Sequence, residues 1–532
     1  MDSYRGKVLG SVLSVQAHTY SEKVFLSFSD GRAVTFSGLD EVSDRVAAGF
    51  LGIGIEKGDI VPILISPCPD FFYTWFALAK IGAVIAPLST VYKADQLKQA
   101  LNYLDSKSLV IGENFVNMIR PLEGELQRVQ RAVVSEAGYG GPKSEGPPEL
   151  GLPTTRFSEL YGGRRGEPDA ALKSGNNQLL LLTSGTTGPS KGVVVSHAWA
   201  FAGCDPIAKA LNLTSNDIYF MFMPFYHAHA LLATVACLVI GASLVIRDRF
   251  HVSTFWEDST RSNATVFPAF SVVGPILMKQ APSSGDRKHT ISRCVTVGMP
   301  REQIMEFESR FGIKTCEVYG ATEHGTSIAR SCDDRNIGSM GKATDSFEVR
   351  VVDNEDYEMP RGEVGEIVVR SAVPYQATSG YYKMPEMTVE MNRNFWQHTG
   401  DLGYEDHDGY FYFVGRKKEI IRRRGENISP SEIERIVNAC PGVRLSAAVP
   451  VASELGEEDV KIVVTVEPGH TLSPLELLVF CEERLPYNMV PRYIQFRDDL
   501  PMTGSGRVEK YKLKELTPDT WDVEKEKYNR KG

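Results

Sequence analysis

The chain of 532 residues contains 42% hydrophobic and 23% charged residues, a composition typical of a globular protein with ample core material. Its length exceeds the roughly 250 to 300 residues at which single hydrophobic cores stop growing, so two or more domains are expected. With 58 Lys and Arg against 67 Asp and Glu, the formal net charge is −9, which argues against broad binding to nucleic acid or anionic lipid.

Cysteine spacing and hydropathy indicate the compartment. The eight cysteines are scattered and no two form a CxxC pair, as expected of reduced thiols. The N-terminus has Asp2, Arg5 and Lys7 without a sustained apolar run, so no signal peptide is predicted. The longest uncharged stretch, 230–246, is shorter than about 20 apolar residues and predicts a buried helix followed by a strand. We expect a cytoplasmic protein without a membrane span; the oligomeric state is left open, a homodimer being one option.

From the N-terminus to about residue 415, short apolar runs alternate with helix-like segments. The first such unit comprises a strand at 60–65, a helix at 71–81 and a strand at 83–87. Further strands are predicted at 108–111, 178–182, 242–246, 266–267 and 294–297. This alternation predicts an α/β fold with mostly parallel sheets covered by helices. The segment 136–153, dense in Gly, Pro and Ser, predicts a surface loop.

A domain boundary is predicted after residue 417, which gives a large N-terminal domain (1–417) and a small mobile C-terminal domain (418–532) with its own α+β pattern. In the small domain, Ser429-Pro430-Ser431-Glu432 predicts a capping box before a helix to Cys440. A second helix at 473–485 begins in the same way, and strands are predicted at 445–449 and 461–466. We interpret this domain as a lid that serves catalysis.

A loop rich in hydroxyls and glycine runs from Thr183 to Gly192, directly after the strand at 178–182. Its hydroxyls and backbone amides can donate to a polyphosphate without side-chain bulk. It is not a Walker motif, because no Gly-Lys-Ser/Thr opens a helix there, and on composition alone a generic flexible loop is the alternative.

Further motifs follow this loop in chain order: Pro224-Phe225-Tyr226-His227, Tyr319-Gly320-Ala321-Thr322-Glu323, Thr399-Gly400-Asp401, Gly415-Arg416 to Pro430, and Leu500 to Lys510. Together they resemble the ANL superfamily of acyl-CoA synthetases, peptide-synthetase adenylation domains and firefly-type luciferases, over nearly the whole chain. The resemblance implies the ANL fold, in which a large domain of covered sheets carries a small α+β lid. It also implies an acyl-CoA ligase that forms a CoA thioester from a carboxylic acid via an acyl-adenylate.

The resemblance implies ATP or AMP, CoA and Mg²⁺ as ligands, and a small carboxylic acid or its acyl-adenylate as the partner. The residues assigned to nucleotide and phosphate are Thr183, Ser184, Gly185, Thr186, Thr187, Lys191, Gly298, Met299, Pro300, Glu317, Val318, Tyr319, Gly320, Thr322, Asp401 and Arg416. Those assigned to the pantetheine tunnel are Gly425 and Glu426, those assigned to the metal are Glu323 and Thr186, and those assigned to catalysis are His227, Glu323, Lys418 and Arg507.

Elementary chemistry agrees with these assignments. A tyrosine face can stack on adenine, and Glu323 is a hard oxygen ligand suited to Mg²⁺. Asp401 can accept from both ribose hydroxyls, with the donor fork of Arg416 beside it. In the family the small domain rotates about a hinge residue, which corresponds to Lys418 here. The family residue that matches His227 contacts the acyl group. His229 is assigned a structural role.

Two positions bear on the substrate. Peptide-synthetase adenylation domains carry an Asp near the motif that ends in His227, where it pairs with the ammonium of the amino acid. This chain has Tyr226-His227 there, which favours a plain carboxylic acid over a carrier-loading module. Met299 replaces a usually smaller residue at the pocket, with an effect that is left open. Arg422 to Arg424 could contact CoA phosphates or form a solvated basic face.

The last motif departs from the family pattern, because Arg507 occupies the place of a catalytic lysine. In the family this lysine bridges the substrate carboxylate and the α-phosphate during adenylation. Arginine keeps the charge but is larger and planar, and a misplacement of about 1 Å can cost on the order of a hundredfold in rate. Our main hypothesis is therefore intact thioester formation with impaired adenylation. The alternative is a complete ATP-dependent ligase in which Arg507 or Lys510 replaces the lysine.

Overall fold

The computed structural model describes residues 6–136, 150–162, 171–183, 191–270, 273–423, 426–453, 458–502 and 507–525. Its helices are α1 Leu9–Thr19, α2 Phe36–Gly52, α3 Pro69–Ile81, α4 Ala94–Leu104, α5 Val116–Ile119, α6 Phe157–Leu160, α7 His197–Ala210, α8 Ala228–Ile240, α9 Phe255–Arg261, α10 Val273–Lys279, α11 Arg301–Phe311, α12 Pro385–Met391, α13 Pro430–Asn438 and α14 Pro474–Glu482.

Its strands are β1 Val24–Phe28, β2 Ala33–Thr35, β3 Ile60–Leu64, β4 Val84–Pro87, β5 Ser108–Gly112, β6 Arg131–Ser135, β7 Thr154–Arg156, β8 Asn177–Thr183, β9 Lys191–Ser196, β10 Ile218–Met221, β11 Ser243–Ile246, β12 Val266–Pro268, β13 Arg293–Thr296, β14 Lys314–Ala321, β15 Gly325–Arg330, β16 Lys342–Ala343, β17 Phe347–Val352, β18 Gly365–Ser371, β19 Gly380–Tyr381, β20 Gln397–Glu405, β21 Phe411–Arg416, β22 Ile421–Arg423, β23 Glu426–Ile428, β24 Val443–Ala452, β25 Glu458–Val466, β26 Tyr493–Phe496 and β27 Trp521–Asp522.

Two large mixed sheets form the frame of the N-terminal part. One has the strand order β16-β15-β14-β13-β12-β10-β11-β1-β2 and the other β19-β9-β8-β4-β3-β5-β6-β7. Pairing is parallel from β1 through β14 in the first sheet and from β8 through β7 in the second. Antiparallel pairs occur towards the edges, such as β8 with β9. The predicted α/β class with mostly parallel sheets is confirmed.

The main core joins both sheets through buried helices. Trp75 and Phe72 of α3 and Trp199 of α7 are fully buried in a cluster that also contains Phe25 of β1 and Leu179 of β8. Because α3 is buried along nearly its whole length, most of its residues are apolar and they are not confined to one stripe. The long apolar stretch at 230–246 forms α8 and β11, as predicted, and no helix among the described residues has the length and hydropathy needed to cross a membrane.

The C-terminal part has its own sheet, of order β24-β25-β26-β27, which packs with α13 and α14. At α14 the predicted capping box is present, because Ser473 Oγ accepts from Glu476 N at 3.3 Å and Glu476 Oε2 accepts from Ser473 N at 2.8 Å. The box predicted at Ser429 is wrong. Ser429 Oγ donates instead to the carbonyl of Val414 at 2.7 Å, so this hydroxyl connects α13 to β21.

One predicted strand is shorter in the structure, and the cysteines are reduced. The strand predicted at 294–297 ends at Thr296, because the chain turns at Gly298 with φ of +68°, a conformation that favours glycine. All eight cysteines are buried free thiols, as their spacing predicts. The boundary between residues 417 and 418 stays a prediction.

Candidate active site

Three strand-borne side chains converge at Asp401. The carboxylate is carried by β20, and Asp401 pairs in register with Arg416 of β21. Tyr319 of β14 donates its hydroxyl to Asp401 Oδ2 at 2.8 Å, and Arg416 Nε lies 2.7 Å from Asp401 Oδ1. Burial raises the pKa of Asp401, while the charge of Arg416 acts in the opposite direction. The predicted adenine and ribose motifs, 82 residues apart in sequence, therefore meet in one hydrogen-bonded group.

A glutamate ties together two segments of the predicted adenine pocket. Glu317 Oε1 accepts from the backbone amide of Gly298 at 2.6 Å, and Glu317 Oε2 accepts from the hydroxyl of Thr296. Burial raises the pKa of Glu317 to about 7. The turn at Gly298 is thus fixed to β14 two residues before Tyr319.

Glu317 is expected to make stability pH-dependent. Its pKa is about 7 in the folded protein against an ordinary value of 4.5, so stability falls by about 3 kcal/mol as pH rises through this window. Glu317→Gln removes this titration. The Tm of the variant minus the Tm of the wild type should therefore increase from pH 5 to pH 8. Thermal unfolding at matched ionic strength measures the gap.

A control with the opposite sign is available. Glu308 accepts from Thr315 N and pairs with Arg335, and against the raising effect of burial these contacts lower its pKa. Glu308→Gln should therefore show no such gain in Tm between pH 5 and pH 8. An equal Tm gap at both pH values for Glu317→Gln would contradict the titration.

The Met299 side chain packs away from solvent. It is 8% exposed and clusters with Ile304 and Ile337. A Cβ atom added to Gly274 of α10 would lie only 2.0 Å from Met299 Cε. Gly274 therefore leaves the space that this long side chain fills between α10 and α11. The larger residue at this position is accommodated by packing.

Glu323 lies in the turn between β14 and β15 and is held from the side by an aromatic residue. Tyr381 of β19 donates its hydroxyl to Glu323 Oε1 at 2.9 Å. The Nζ of Lys191 lies 4.7 Å above the centre of the Tyr381 ring. Burial and the nearby Glu323 carboxylate raise the pKa of Tyr381 well above its ordinary value, so the hydroxyl stays a donor. Tyr381 was missed by the sequence analysis.

Glu323 is the predicted metal ligand that lies within the described residues. Within the described ranges no group of three or more His, Cys, Asp or Glu side chains could hold a metal ion. Magnesium is commonly held by one or two carboxylates together with water and substrate phosphates, so a single carboxylate fits an ion that arrives with ATP. Thr186, the other predicted ligand, lies outside the described residues.

Ser184, Gly185, Thr186, Thr187 and Gly425 lie outside the described residues, as does the side chain of Glu426. At the ends of the predicted phosphate loop, Thr183 and Lys191 are paired across β8 and β9.

The two neighbouring histidines differ in their surroundings. His227 precedes α8, is half-buried, and its ring centre lies 4.6 Å from that of Tyr226. His229 Nε2 lies 2.9 Å from the Tyr219 hydroxyl, and its ring packs 4.3 Å from Phe270. Burial lowers the pKa of His229 to about 3, which keeps it neutral. These contacts agree with a structural role for His229, whereas the acyl-site role of His227 stays a prediction.

Arg507 and Lys510 have different partners. Arg507 is exposed, and its charge acts together with that of Arg416 against the burial that raises the pKa of Asp401, so the three groups interact electrostatically. Lys510 Nζ instead lies 2.8 Å from Glu434 Oε1 and 3.5 Å from Glu419 Oε2. Glu434 and Glu419 therefore neutralise Lys510, whereas Arg507 interacts electrostatically with Asp401 of the predicted ribose motif. Lys418 is exposed.

The basic string after the predicted hinge is not one surface. Arg423 is buried, with Nε 2.9 Å from Asp459 Oδ1 and a hydrogen bond to the Val490 carbonyl at 2.7 Å. We predicted that Arg422 to Arg424 contact CoA phosphates or form a solvated basic face. For Arg423 both predictions are wrong. Arg422 is exposed, and Arg424 lies outside the described residues.

A second supporting residue was also missed. Glu366 of β18 accepts from Gly400 N at 3.1 Å and pairs with Lys417 Nζ at 2.9 Å, next to the predicted hinge. Against the raising effect of burial, the close contacts with His398 and Lys417 lower the pKa of Glu366 to about 2. Glu366 therefore supports the turn before Asp401 as a charged acceptor.

Residues 13–382 match the family described as AMP-binding enzyme, and residues 432–507 match its C-terminal domain. The chain therefore belongs to the AMP-binding enzymes of the ANL superfamily, among the acyl-CoA ligases. Crotonobetaine/carnitine–CoA ligases of Salmonella enteritidis PT4 and Salmonella typhi are each 30% identical to it over 526 residues, covering 97% of this chain and 100% of theirs.

Solved structures share the fold. The anthranilate CoA ligase AuaEII in complex with anthranoyl-AMP matches with a TM-score of 0.85 and 22% identity, covering 96% of both chains. ATP-bound MatB from Rhodopseudomonas palustris matches with a TM-score of 0.83 and 24% identity, covering 95% of this chain and 98% of that one. At this identity the similarity establishes the fold alone.

Proposed function

We propose that the protein is a complete ATP-dependent, AMP-forming ligase that joins a small carboxylic acid to CoA. In the first step a carboxylate oxygen attacks the α-phosphorus of ATP and pyrophosphate leaves. In the second step the CoA thiol loses its proton and attacks the acyl carbon, and AMP leaves. The relatives at 30% identity, which are named as CoA ligases, support CoA as the thiol.

The observation that carries this proposal is that Arg507 lies within electrostatic range of Asp401 and Arg416. A cation there can neutralise the carboxylate and the α-phosphate as they approach, which is the task of the lysine in the family. Lys510 is a weaker candidate, because Glu434 and Glu419 already neutralise it. The complete ligase is therefore favoured over our initial hypothesis of impaired adenylation.

The remaining roles are proposals built on the same geometry. Tyr319 and Asp401 would hold adenine and ribose, and Glu323 would hold Mg²⁺ together with the ATP phosphates, where the ion screens their charge. His227 would contact the acyl group. For the acid, carnitine-like and bulky aliphatic acids are the first candidates, because the relatives at 30% identity are named for crotonobetaine and carnitine.

Two parallel assays test the proposal. The protein is incubated with an acid panel, ATP, Mg²⁺ and CoA, and separately with synthetic acyl-adenylates and CoA, and thioester is measured by mass spectrometry. We expect thioester and pyrophosphate in the first assay and thioester in the second. If thioester formed from an acyl-adenylate but not from the matching acid and ATP, the protein would not be a complete ligase. That result would favour an enzyme limited to thioester formation, in which the planar guanidinium of Arg507 impairs adenylation.

A further inference from the structure

We propose that Tyr381 is a positioning residue that fixes Glu323, the predicted magnesium ligand, and Lys191, the end of the predicted phosphate loop, in one arrangement. This inference rests on the proposed ATP-dependent function. Tyr381 lies 58 residues from Glu323 in sequence and belongs to neither predicted motif.

The contact with Glu323 is double. The hydroxyl of Tyr381 donates to Glu323 Oε1 at 2.9 Å, and the backbone amide of Thr378, three residues earlier, donates to the Glu323 carbonyl at 2.7 Å. Among the described side chains no hydrogen bond reaches Glu323 Oε2, which leaves that oxygen for a cation. The segment 378–381 thus orients the carboxylate from both its backbone and its side chain.

The same ring contacts Lys191, at the end of the predicted phosphate loop. Tyr381 pairs with Val193 across β19 and β9, which places its ring under the Nζ of Lys191 at 4.7 Å. A cation over an aromatic face is attracted by the negative face of the ring. The next residue, Tyr382, donates its amide to the carbonyl of Gly192 at 2.7 Å, so the strand itself is fixed at the end of the loop.

Loss of the Tyr381 contact with Glu323 should affect adenylation and not thioester formation. Residues that hydrogen-bond a metal ligand orient it, and losing one commonly costs about 10- to 100-fold in metal affinity or activity. Adenylation uses the ATP phosphates and the metal, whereas thioester formation from an acyl-adenylate releases AMP and uses neither the β- nor the γ-phosphate. A defect at Tyr381 should therefore separate the two half-reactions.

The test uses Tyr381→Phe, which keeps the ring under Lys191 and removes the hydroxyl, and Tyr381→Leu, which removes both. Tyr382→Phe is the matched control, because its hydroxyl contacts only the carbonyl of Leu104 at 3.4 Å among the described residues. Three quantities are measured: the Mg²⁺ concentration that half-saturates pyrophosphate release, thioester formation from synthetic acyl-adenylate, and the Tm increase produced by MgATP and by AMP.

For Tyr381→Phe we expect an increase of about tenfold in half-saturating Mg²⁺, a smaller Tm increase with MgATP, an unchanged Tm increase with AMP, and thioester formation within about twofold of wild type. Tyr381→Leu should also raise the KM for ATP. An unchanged Mg²⁺ response and MgATP shift for Tyr381→Phe, or equal losses in both half-reactions, would overturn the inference. If the wild type released no pyrophosphate, the proposed function would fail, while the two Tm shifts would still decide the role of Tyr381.

Discussion

Replacing Arg507 by alanine is expected to lower pyrophosphate release on the order of a hundredfold, because removing one preorganised charge donor commonly costs about 10² to 10³ in rate. The side chain shares a region with Asp401 and Arg416, where adenylation is proposed to occur. Thioester formation from synthetic acyl-adenylate should stay within about twofold of wild type, because in the family the small domain rotates before that step. Measuring both half-reactions on one preparation checks the expectation.

Two further variants separate charge from shape. Arg507→Lys restores the smaller cation of the family, and an adenylation rate close to wild type is expected if the arginine already performs the task. A large rate increase would instead revive the hypothesis of impaired adenylation. Lys510→Met leaves the half-buried Glu434 without its cation and should lower stability, but it should retain more adenylation than Arg507→Ala. The reverse order would assign the role to Lys510.

The elements of the large domain could be predicted because burial controls their sequence pattern. The strand β3 at 60–64 and the helix α3 at 69–81 differ from the predicted segments by one or two residues at their ends. Strand direction was less predictable. The antiparallel pairing of β8 with β9 follows from the short connection between them, which the predicted phosphate loop occupies, whereas the residue pattern of a buried strand is the same in either direction.

The motifs predicted which residues gather, but not what supports them. Tyr319 and Asp401 were assigned to neighbouring parts of a nucleotide, and the structure brings them into direct contact. Tyr381 and Glu366, which hold Glu323 and Gly400, belong to no motif that the sequence analysis used, and their partners lie 58 and 34 residues away. Such contacts depend on strand register, which a single sequence does not specify.

Local capping signals show the same limit on a smaller scale. The segments beginning at Ser429 and Ser473 both read Ser-Pro-x-Glu, yet only Ser473 forms the capping box. Ser429 lies against β21, where the carbonyl of Val414 competes for its hydroxyl. Tertiary contact therefore decides between two uses of the same four-residue pattern.

Asp401→Asn is expected to weaken the binding of both ATP and AMP by roughly 30- to 150-fold, which corresponds to about 2 to 3 kcal/mol for hydrogen bonds to a charged group. The substitution keeps the shape of the side chain and removes the charge that Arg416 faces at 2.7 Å and Tyr319 contacts at 2.8 Å. Because the ribose is common to ATP, the acyl-adenylate and AMP, both half-reactions should slow. Calorimetric titration with each nucleotide measures the effect.

Asp406→Asn is the matched control, since Asp406 follows the same strand but accepts from the amides of Asp408 and Tyr410 at the far end of the hairpin. Its nucleotide affinities should equal those of wild type. The contrast with Arg507 is then diagnostic: loss of Arg507 should affect adenylation alone, whereas loss of the Asp401 charge should affect every step that holds the nucleotide. If Asp401→Asn slowed adenylation and left AMP binding intact, Asp401 would act on the small-domain cation rather than on the ribose.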